Sequence, residues 1–301
     1  MSRKNKNAIR KSAEDHIVNT ICTVLACLLA LACIYPLYYA LINSFNDGHD
    51  ALKGGIYLWP RMWTLNNYQV VFRDDGLLLS FLLTVLRTVV GTLLTLLCTT
   101  IASYALSRKE LVFRRFYIYA GLTTMFVGSG IIPTYMLYRQ LKLLNTFWVY
   151  VLPSMFSFGN AIYMINYFRK QPEALVESAR IDGAQEFTIL LRIIIPISKP
   201  ILATIALFVG VMHWNDWYAP AYYVTSEKLM TMPATLMRLL SQKDAMAKMK
   251  EFSNANVNGL TTTLDTIRYA TLIVTVVPIT ILYPFLQKYF IQGMMLGALK
   301  E

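Results

Sequence analysis

Charged residues are scarce in this sequence. Asp, Glu, Lys and Arg together make up 15% of its 301 residues, whereas ordinary globular chains contain about 25%. Hydrophobic residues account for 56%, above the roughly 45–50% that is typical of soluble domains. So few charges do not suffice for an ordinary water-facing surface. The composition therefore excludes a typical soluble protein and predicts one that lies in a membrane.

Residues that commonly carry catalysis or bind metals are also few. The chain has three scattered histidines and four cysteines, Cys22, Cys27, Cys33 and Cys98. The cysteines lie in apolar runs without CxxC spacing, so we expect buried small side chains rather than disulfides or metal ligands. There is no GxxxxGK[ST] phosphate-binding pattern and no convincing acid–base pair or nucleophile triad. We therefore expect no catalytic residue, metal ligand or cofactor on this chain.

The positive charge of the chain is unevenly distributed. The net charge is +11, a value that raises the possibility of a nucleic-acid partner. The basic residues, however, cluster in short runs between long apolar stretches. This pattern is typical of a protein oriented in a membrane and in contact with lipid, so we do not expect nucleic-acid binding.

Six apolar runs are long enough to cross a hydrocarbon core of about 30 Å, which takes about 20 residues. They are Ile17–Leu41, Leu78–Leu106, Phe116–Leu137, Phe147–Phe168, Ile201–Val224 and Ile267–Phe290. Several contain Pro or Gly, which membrane helices tolerate. The basic start and first run resemble a signal peptide, but the run continues past Cys33, which favours an uncleaved span. The sequence therefore predicts an all-α polytopic membrane protein with six transmembrane helices.

The distribution of Lys and Arg predicts the orientation. The start of the chain, the segment after the second run and the segment 169–199 are dense in basic residues, which indicates that both termini are cytoplasmic. The loop 225–266 is basic too, but long translocated loops contribute little to this rule. The resulting divisions are a cytoplasmic tail (1–16), a first span with its outer loop (17–76), a core (77–292) and a second cytoplasmic tail (293–301).

One basic residue, Arg87, falls inside the second run. It lies about 20 residues before the inner end of that run, or roughly 30 Å along a helix. We therefore expect it near the outer interface, where its guanidinium can reach water. The alternative is a role in gating or substrate binding, since charges within spans are often functional.

The cytoplasmic segment 169–199 is too long for a simple connection and predicts two short helices. The first begins near Pro172, because Pro suits the first helical turn, and ends at Gly183, because Gly favours a left-handed helix stop. The second runs from Gln185 to Pro196.

The first of these helices carries small residues at helical spacing. Leu175, Ala179 and Gly183 are four residues apart, and Ser178 and Asp182 form the adjacent row. Small side chains let another protein approach closely, so we expect a knob that a partner's socket receives.

The alternative for this helix is an amphipathic helix lying on the lipid surface. Such helices usually have a strongly basic face. This one carries Glu173, Glu177 and Asp182 against Arg180 alone, and acidic residues are disfavoured beside an anionic leaflet. Docking to a protein is therefore the favoured interpretation, with Glu177 available to a partner's Arg or Lys.

The same segment contains a spaced motif. Glu177-Ser178-Ala179, three residues, Gly183, nine residues and then Ile193-Ile194-Ile195-Pro196 resembles the EAA loop of ABC importer permeases, which reads EAA, three residues, G, nine residues and I-x-L-P. Ser178 and Ile195 depart from it by near-isosteric changes. The match fixes several positions over 20 residues in the segment that topology alone selects.

Further motifs resemble the carbohydrate-importer (MalG-like) branch of this family, and in particular its LplC/YtcP-like permeases for complex saccharides. They are the tail YFIQGMMLGALKE, the W-N-[DE]-[FW]-like run His213-Trp214-Asn215-Asp216-Trp217, and Ile131-Ile132-Pro133-Thr134-Tyr135 with Leu144-Asn145-Thr146. The resemblance implies a type I importer (MetI-like) transmembrane domain in the bacterial inner membrane. Its implied partners are a second, non-identical permease, two ATPase subunits that hold ATP and Mg, and an external sugar-binding protein. The coupling residues it implies are Glu177, Ser178, Ala179, Asp182, Gly183, Ala184 and Pro196.

The substrate path is less sharply marked. Polar groups within spans are costly and therefore functional candidates, and aromatic faces with amide hydrogen bonds suit sugars. The candidates are Asn160, Tyr163, Asn166, Trp214, Asn215 and Trp217. The alternative for them is hydrogen bonding between helices. The resemblance also gives the loop 225–266 a role in docking the binding protein, the alternative being a mobile solvated loop.

Two other classes of protein compete with the permease. An ion-coupled secondary transporter would show inverted repeats and ionisable residues deep in its spans, and a membrane-embedded enzyme would show acids or histidines at helix spacing near one leaflet. No repeat is visible in this sequence, few ionisable residues lie within its spans, chiefly His213 and Asp216, and the three histidines are scattered.

Overall fold

The computed structural model describes residues 13–241 and 262–298. The predictions made for residues 1–12, 242–261 and 299–301 lie outside the described residues. Where the chain is described it is α-helical and has no strand, only an isolated bridge between Asn46 and Trp63, so the predicted all-α class is confirmed. The α-helices described are α1 (Ala13–Ser44), α2 (Gly48–Leu52), α3 (Asn66–Arg73), α4 (Asp75–Ser107), α5 (Arg114–Phe126), α6 (Ile131–Gln140), α7 (Phe158–Arg169), α8 (Ala174–Ile181), α9 (Glu186–Ile189), α10 (Ile195–Ile197), α11 (Lys199–Asn215), α12 (Tyr218–Tyr223), α13 (Met232–Leu240) and α14 (Leu264–Ala298).

Membrane-spanning length is reached in two ways. Three single helices are long and apolar enough to cross a membrane, namely Ile17–Ser44, Asp75–Ser107 and Leu264–Ile281. Three bent pairs satisfy the same test together, namely Arg114–Phe126 with Ile131–Gln140, Phe147–Ser154 with Phe158–Arg169, and Glu186–Ile197 with Lys199–Asn215. With each bent pair taken as one span, the described residues hold up to six, the predicted number.

The bends depart from the straight runs that the sequence predicts. The third span turns by 116° before α6, where Gly130 has a φ of +74° that an L side chain would resist. The fourth begins as 3₁₀ turns and bends by 45°. The fifth turns by 83° between Ile197 and Lys199. Its helix α11 also ends at Asn215 rather than at the predicted Val224, because two extended or irregular residues separate it from α12.

The chain divides into two compact units, which within the described residues are 13–69 with 262–273, and 70–241 with 274–298. In the first unit, the face of α1 is exposed from Ile17 through Leu37. Cys22, Cys27 and Cys33 are therefore exposed and free, and the prediction that they are buried was wrong. An apolar helix needs no protein cover where its solvent is lipid.

The second unit is organised around α4. This helix packs against α11, α7 and α13, and α7 packs in turn against α5 and α11. A contiguous apolar core joins α4, α7, α8 and α11 through residues that include Met164, Phe168, Ile189 and Ile205. The segment 169–199 therefore shares its apolar core with the predicted spans.

Gly91 marks the closest approach of α4 to α11. A Cβ at this position would lie 2.5 Å from Nε2 of the buried His213 ring, so the two helices need glycine here. We expect Gly91→Ala to lower the stability of the purified protein by about 1–3 kcal/mol, the usual cost of overpacking. Gly210→Ala is the matched control, because its Cβ would meet only Thr92 Oγ1 at 3.6 Å. Thermal unfolding in detergent measures the difference, and equal midpoints for the two variants would contradict this packing.

Candidate functional site

The first helix of the segment 169–199, α8, ends where the sequence predicts. Gly183 adopts a φ of +79°, its N–H donates to the carbonyl of Arg180 at 3.0 Å, and the N–H of Ala184 donates to the carbonyl of Ala179 at 2.9 Å. These two bonds form a Schellman motif, which requires a left-handed residue at this point. A Cβ on Gly183 would meet nothing within 4 Å, so only backbone conformation, not space within this chain, favours glycine.

The two faces of α8 differ in burial. Val176 and Ala179 are buried against the core that α7 and α9 share. Glu177, Ser178 and Asp182 are exposed. The predicted row of small residues therefore does not form one exposed surface. Ala179 faces inward and packs α8 against the core of its own chain.

The exposed face of α8 also contains an apolar residue that the sequence analysis did not select. Ile181 is 85% exposed and lies one turn after Glu177. Ile181 stands between the charged residues Arg180 and Asp182 and belongs to no apolar repeat in the sequence. Only the structure therefore identifies it as part of this surface.

Ion pairs hold α8 to the neighbouring loop 108–113. Arg180 bonds Glu110 at 3.0 Å and Glu186 at 2.7 Å, and Lys109 bonds Glu173 at 2.9 Å. Isolated exposed pairs contribute only about 0–1 kcal/mol. Here they share partners and connect several segments, so they fix the orientation of the helix more than they stabilise the fold.

The pKa values of these side chains favour the charged forms that the ion pairs require. The hydrogen bond from Arg180 holds the pKa of the Glu110 carboxyl below its usual value. The hydrogen bond to Glu173 raises the pKa of Lys109. Because the carboxyl pKa is lowered in the folded state, the Glu110 pair is complete at neutral pH and is lost only as the pH falls through that lowered value.

The second helix of the segment 169–199 connects α8 to α11. It begins at Glu186 in α9, continues through a π turn at Leu190–Ile194, and ends with α10. The predicted end, Pro196, lies one residue before the observed end at Ile197. Buried residues of this segment belong to the core that also contains Ile205 of α11. The second helix of this segment and the fifth span therefore share one packed core with α8.

A second candidate site is a pocket of about 490 Å³ at the far end of α11. Its walls combine aromatic rings with polar groups, and they include Tyr138, Tyr150, Asn215, Trp217, Tyr218 and Tyr223. Asn215 and Trp217 thus lie in a cavity, consistent with their predicted place in the substrate path.

The other predicted path residues lie elsewhere. Trp214 is 6% exposed, donates its Nε1–H to the Thr275 carbonyl at 2.9 Å and packs edge-on against Phe81, so it joins helices. Tyr163 and Asn166 are exposed on α7 and Asn160 is partly exposed. None of the α7 residues lines the pocket, so the structure does not bring the two predicted sets together.

The pocket also contains Arg87, whose environment differs from the prediction. It is 2% exposed, its Nη1 donates to the Asp216 carbonyl at 3.0 Å, and its Nη2 forms an ion pair with the Asp216 carboxylate. The guanidinium also lies 4.6 Å from the centroid of the Tyr150 ring. The prediction that Arg87 reaches water at the interface was wrong, because its guanidinium is buried and pairs with the partly exposed Asp216 in the α11–α12 break.

The first part of the predicted loop 225–266 is structured. It contains α13, which packs on α4 through a hydrogen bond between Ser80 and Thr235 at 3.1 Å and one from Met232 N–H to Thr84 Oγ1 at 2.8 Å. The loop begins against Asn145, whose Oδ1 accepts from the N–H groups of Thr225 and Ser226 at 2.9 Å each. A mobile solvated loop is therefore excluded for the part up to residue 241.

Comparison with known proteins identifies the family. The model of the binding-protein-dependent transport system inner membrane component matches residues 15–296. The chain is 30% identical over 274 residues to the polygalacturonan/rhamnogalacturonan transport system permease protein YtcP of Bacillus subtilis (strain 168), covering 91% of this chain and 94% of that protein. It is 31% identical over 267 residues to protein LplC of the same organism, covering 89% of each.

A solved structure shows the same fold. It is a chain of a bacterial ABC transporter involved in the import of the acidic polysaccharide alginate, with a TM-score of 0.83 and 27% identity over 93% of this chain and 98% of that one. The secondary-transporter alternative is wrong. The chain belongs to the family of binding-protein-dependent transport system inner membrane components, and it is an ABC transporter permease.

Proposed function

We propose that this chain forms half of the translocation path of an ATP-driven importer for a carbohydrate, either an oligosaccharide or a fragment of a complex glycan. The observation that carries this proposal is the construction of α8. One face is locked into the core of the spans, and the other presents Glu177, Ser178, Ile181 and Asp182 to solvent. Such a helix suits the transfer of motion from a cytoplasmic partner to the membrane.

The proposed partners follow from the family. They are a second, non-identical permease, two ATPase subunits that bind ATP and Mg, and an external sugar-binding protein. The proposed location is the bacterial inner membrane, in contact with its lipid, with both termini cytoplasmic. Glu177, Ser178, Asp182 and Gly183 would contact an ATPase subunit. Ala179, Ala184 and Pro196 would act indirectly by shaping the helix pair.

The substrate class is supported by the pocket at the end of α11 and by what the relatives are named for. Trp217, Tyr218 and Asn215 offer the aromatic faces and amide groups that suit a sugar ring and its hydroxyls. YtcP is named for polygalacturonan and rhamnogalacturonan, and the structural relative for the acidic polysaccharide alginate. We therefore propose an oligosaccharide that includes acidic sugars.

The test of this function is ATP hydrolysis by the intact importer. The complex would be purified through a tag on this chain, reconstituted in vesicles and assayed with its binding protein loaded with oligogalacturonides or with neutral oligosaccharides. We expect loaded binding protein to stimulate hydrolysis and acidic oligosaccharides to stimulate it most. Copurification without any ATPase subunit would contradict the proposed function, whereas stimulation by neutral sugars alone would contradict only the substrate class.

The pocket itself makes a separate prediction. We expect Trp217→Ala to raise the substrate concentration for half-maximal import by about 2- to 10-fold, corresponding to the ~0.5–1.5 kcal/mol of an aromatic contact. Trp148→Ala is the matched control, because Trp148 is also exposed but does not line the pocket. Equal import kinetics for the two variants would place the substrate path elsewhere.

A further inference from the structure

A small crevice lies on the cytoplasmic side of the core, beside the start of α8. It has a volume of about 190 Å³ and is bounded by the end of α4, the loop before α5, the end of α7 and the residues that lead into α8. The volume is below the roughly 300–1,000 Å³ of sites for drug-sized ligands. The crevice therefore suits a single compact group rather than an oligosaccharide.

The lining of the crevice is strongly basic. Four cations line it, Arg108, Lys109, Arg114 and Arg169, together with two acids, Glu110 and Glu173. Both acids are bonded to bases, Glu110 to Arg180 and Glu173 to Lys109. Among the described residues, Arg108, Arg114 and Arg169 have no carboxylate within 4.0 Å. The crevice thus has an excess of positive charge that this chain does not neutralise.

The hydrogen-bonding capacity of these arginines is only partly used. Nε of Arg108 is buried and has no hydrogen-bond partner among the described residues, and its guanidinium lies 4.3 Å from the Tyr104 ring centroid. Arg114 uses its Nε to donate to the Leu106 carbonyl at 2.9 Å. A guanidinium has five N–H donors, so most of the donors around the crevice remain for a ligand.

Two ordinary explanations account for only part of this arrangement. Cations at helix C-termini complement the helix dipole, which explains Arg108 after α4 and Arg169 at the end of α7. Arg114 is the first residue of α5, where the dipole of its own helix disfavours a cation, and its Nε bond to Leu106 in the last turn of α4 leaves its two Nη groups unexplained. The general excess of basic residues in cytoplasmic loops does not explain why these side chains converge on one crevice.

We infer that this crevice binds the phosphate of an anionic phospholipid headgroup. The chemistry required is a compact phosphate anion that can accept from several guanidinium groups at once. Basic pockets between membrane helices on the cytoplasmic side commonly bind such headgroups. The inference rests on the orientation proposed above, because that orientation places the crevice at the cytoplasmic leaflet.

A bound headgroup would also affect the coupling helix. The crevice includes Pro172, Glu173 and Val176 on one side and Lys109 and Glu110 on the other. The anion would neutralise the repelling arginines between these segments, and so keep the loop 108–113 in place for its ion pairs with α8. Anionic lipid would then support the geometry through which ATP hydrolysis drives transport.

The test uses the intact importer complex and variants that each remove one positive charge. Arg169→Gln is the main variant, because Arg169 is exposed and lines the crevice, and Arg114→Gln is the second. Arg115→Gln is the matched control, because its exposed side chain does not line the crevice. Native mass spectrometry of complexes extracted from vesicles of phosphatidylcholine with phosphatidylglycerol reads the bound lipid directly, independently of transport.

We expect the wild-type protein and Arg115→Gln to retain phosphatidylglycerol, and Arg169→Gln and Arg114→Gln to retain several-fold less. Equal retention by all four proteins would overturn the site. Loss of the ATPase subunit from Arg169→Gln with unchanged lipid would assign the crevice to the protein partner instead. If inorganic phosphate raises the thermal stability of the lipid-stripped complex as much as phosphatidylglycerol does, and only with Arg169 present, the ligand is soluble phosphate and the lipid assignment fails.

Discussion

Gly183→Asp is expected to abolish ATP-driven import while leaving the protein inserted in the membrane. A Cβ at this position meets no atom of the chain within 4 Å, so the new carboxylate would project from the exposed end of α8 towards the proposed ATPase surface. Asp tolerates the left-handed conformation better than most residues, and the strain amounts to only about 1–2 kcal/mol. The fold therefore survives, and the loss falls on the contact with the partner.

The expected size of this effect is that of a central interface residue. Truncation or replacement of such residues commonly costs about 2 kcal/mol or more, equivalent to about 30-fold weaker association. Glu177→Lys should behave alike, because it reverses the charge of an exposed side chain on the same face. The measurements are copurification of the ATPase subunit with this chain and import by reconstituted vesicles.

The matched control for Gly183→Asp is Gly54→Asp. Gly54 also has a positive φ, of +68°, and likewise has open space around its Cβ, but it lies in the loop after α2, far along the sequence from the coupling segment. The same substitution there brings similar backbone strain and the same charge. Normal import by Gly183→Asp, or equal losses in both variants, would remove the case for docking through α8.

The sequence was informative wherever local rules decide the structure. The six apolar runs reflect the thickness of a bilayer, and the end of α8 reflects the preference of Gly183 for a left-handed conformation. Both features depend on residues close together in the chain. This is why the predicted end of the second helix in the segment 169–199, Pro196, lies only one residue from the observed end, Ile197.

Features that depend on distant partners were not predictable from the sequence. Arg87 bonds Asp216, 129 residues away, and Met232 at the start of α13 bonds Thr84, 148 residues away. No periodicity indicates such pairs, so the sequence predicts Arg87 at the outer interface, and it predicts a loop for docking the binding protein where the structure has α13. Ala179 has the size expected of a docking residue, but only tertiary packing shows which side of α8 it faces.

The second large effect is expected at the ion pair between Arg87 and Asp216, in the pocket at the end of α11. Arg87→Met should destabilise the protein by about 1–3 kcal/mol, because it leaves the Asp216 carboxylate, whose side chain is 25% exposed, without its counter-ion. Met roughly preserves the length of the side chain and its contact with the Tyr150 ring. The measurement is the thermal unfolding midpoint of the purified protein, supported by its yield from membranes. Arg139→Met is the control, since Arg139 is exposed in the last turn of α6.

Arg87→Met with Asp216→Asn separates the loss of charge balance from the loss of packing. Oδ1 of Asp216 accepts from the N–H groups of Tyr218 and Ala219 at 2.8 and 3.1 Å, and an asparagine oxygen can keep these bonds at the start of α12. The double variant contains no unpaired charge, so it should be more stable than Arg87→Met alone. We also expect Trp217 and Tyr218 to keep their places in the pocket of the double variant. Substrate import by the double variant should therefore exceed import by Arg87→Met alone. If the double variant instead loses as much stability as the two single variants together, the two charges contribute to stability independently. Arg87 would then stabilise the fold through its packing on Tyr150.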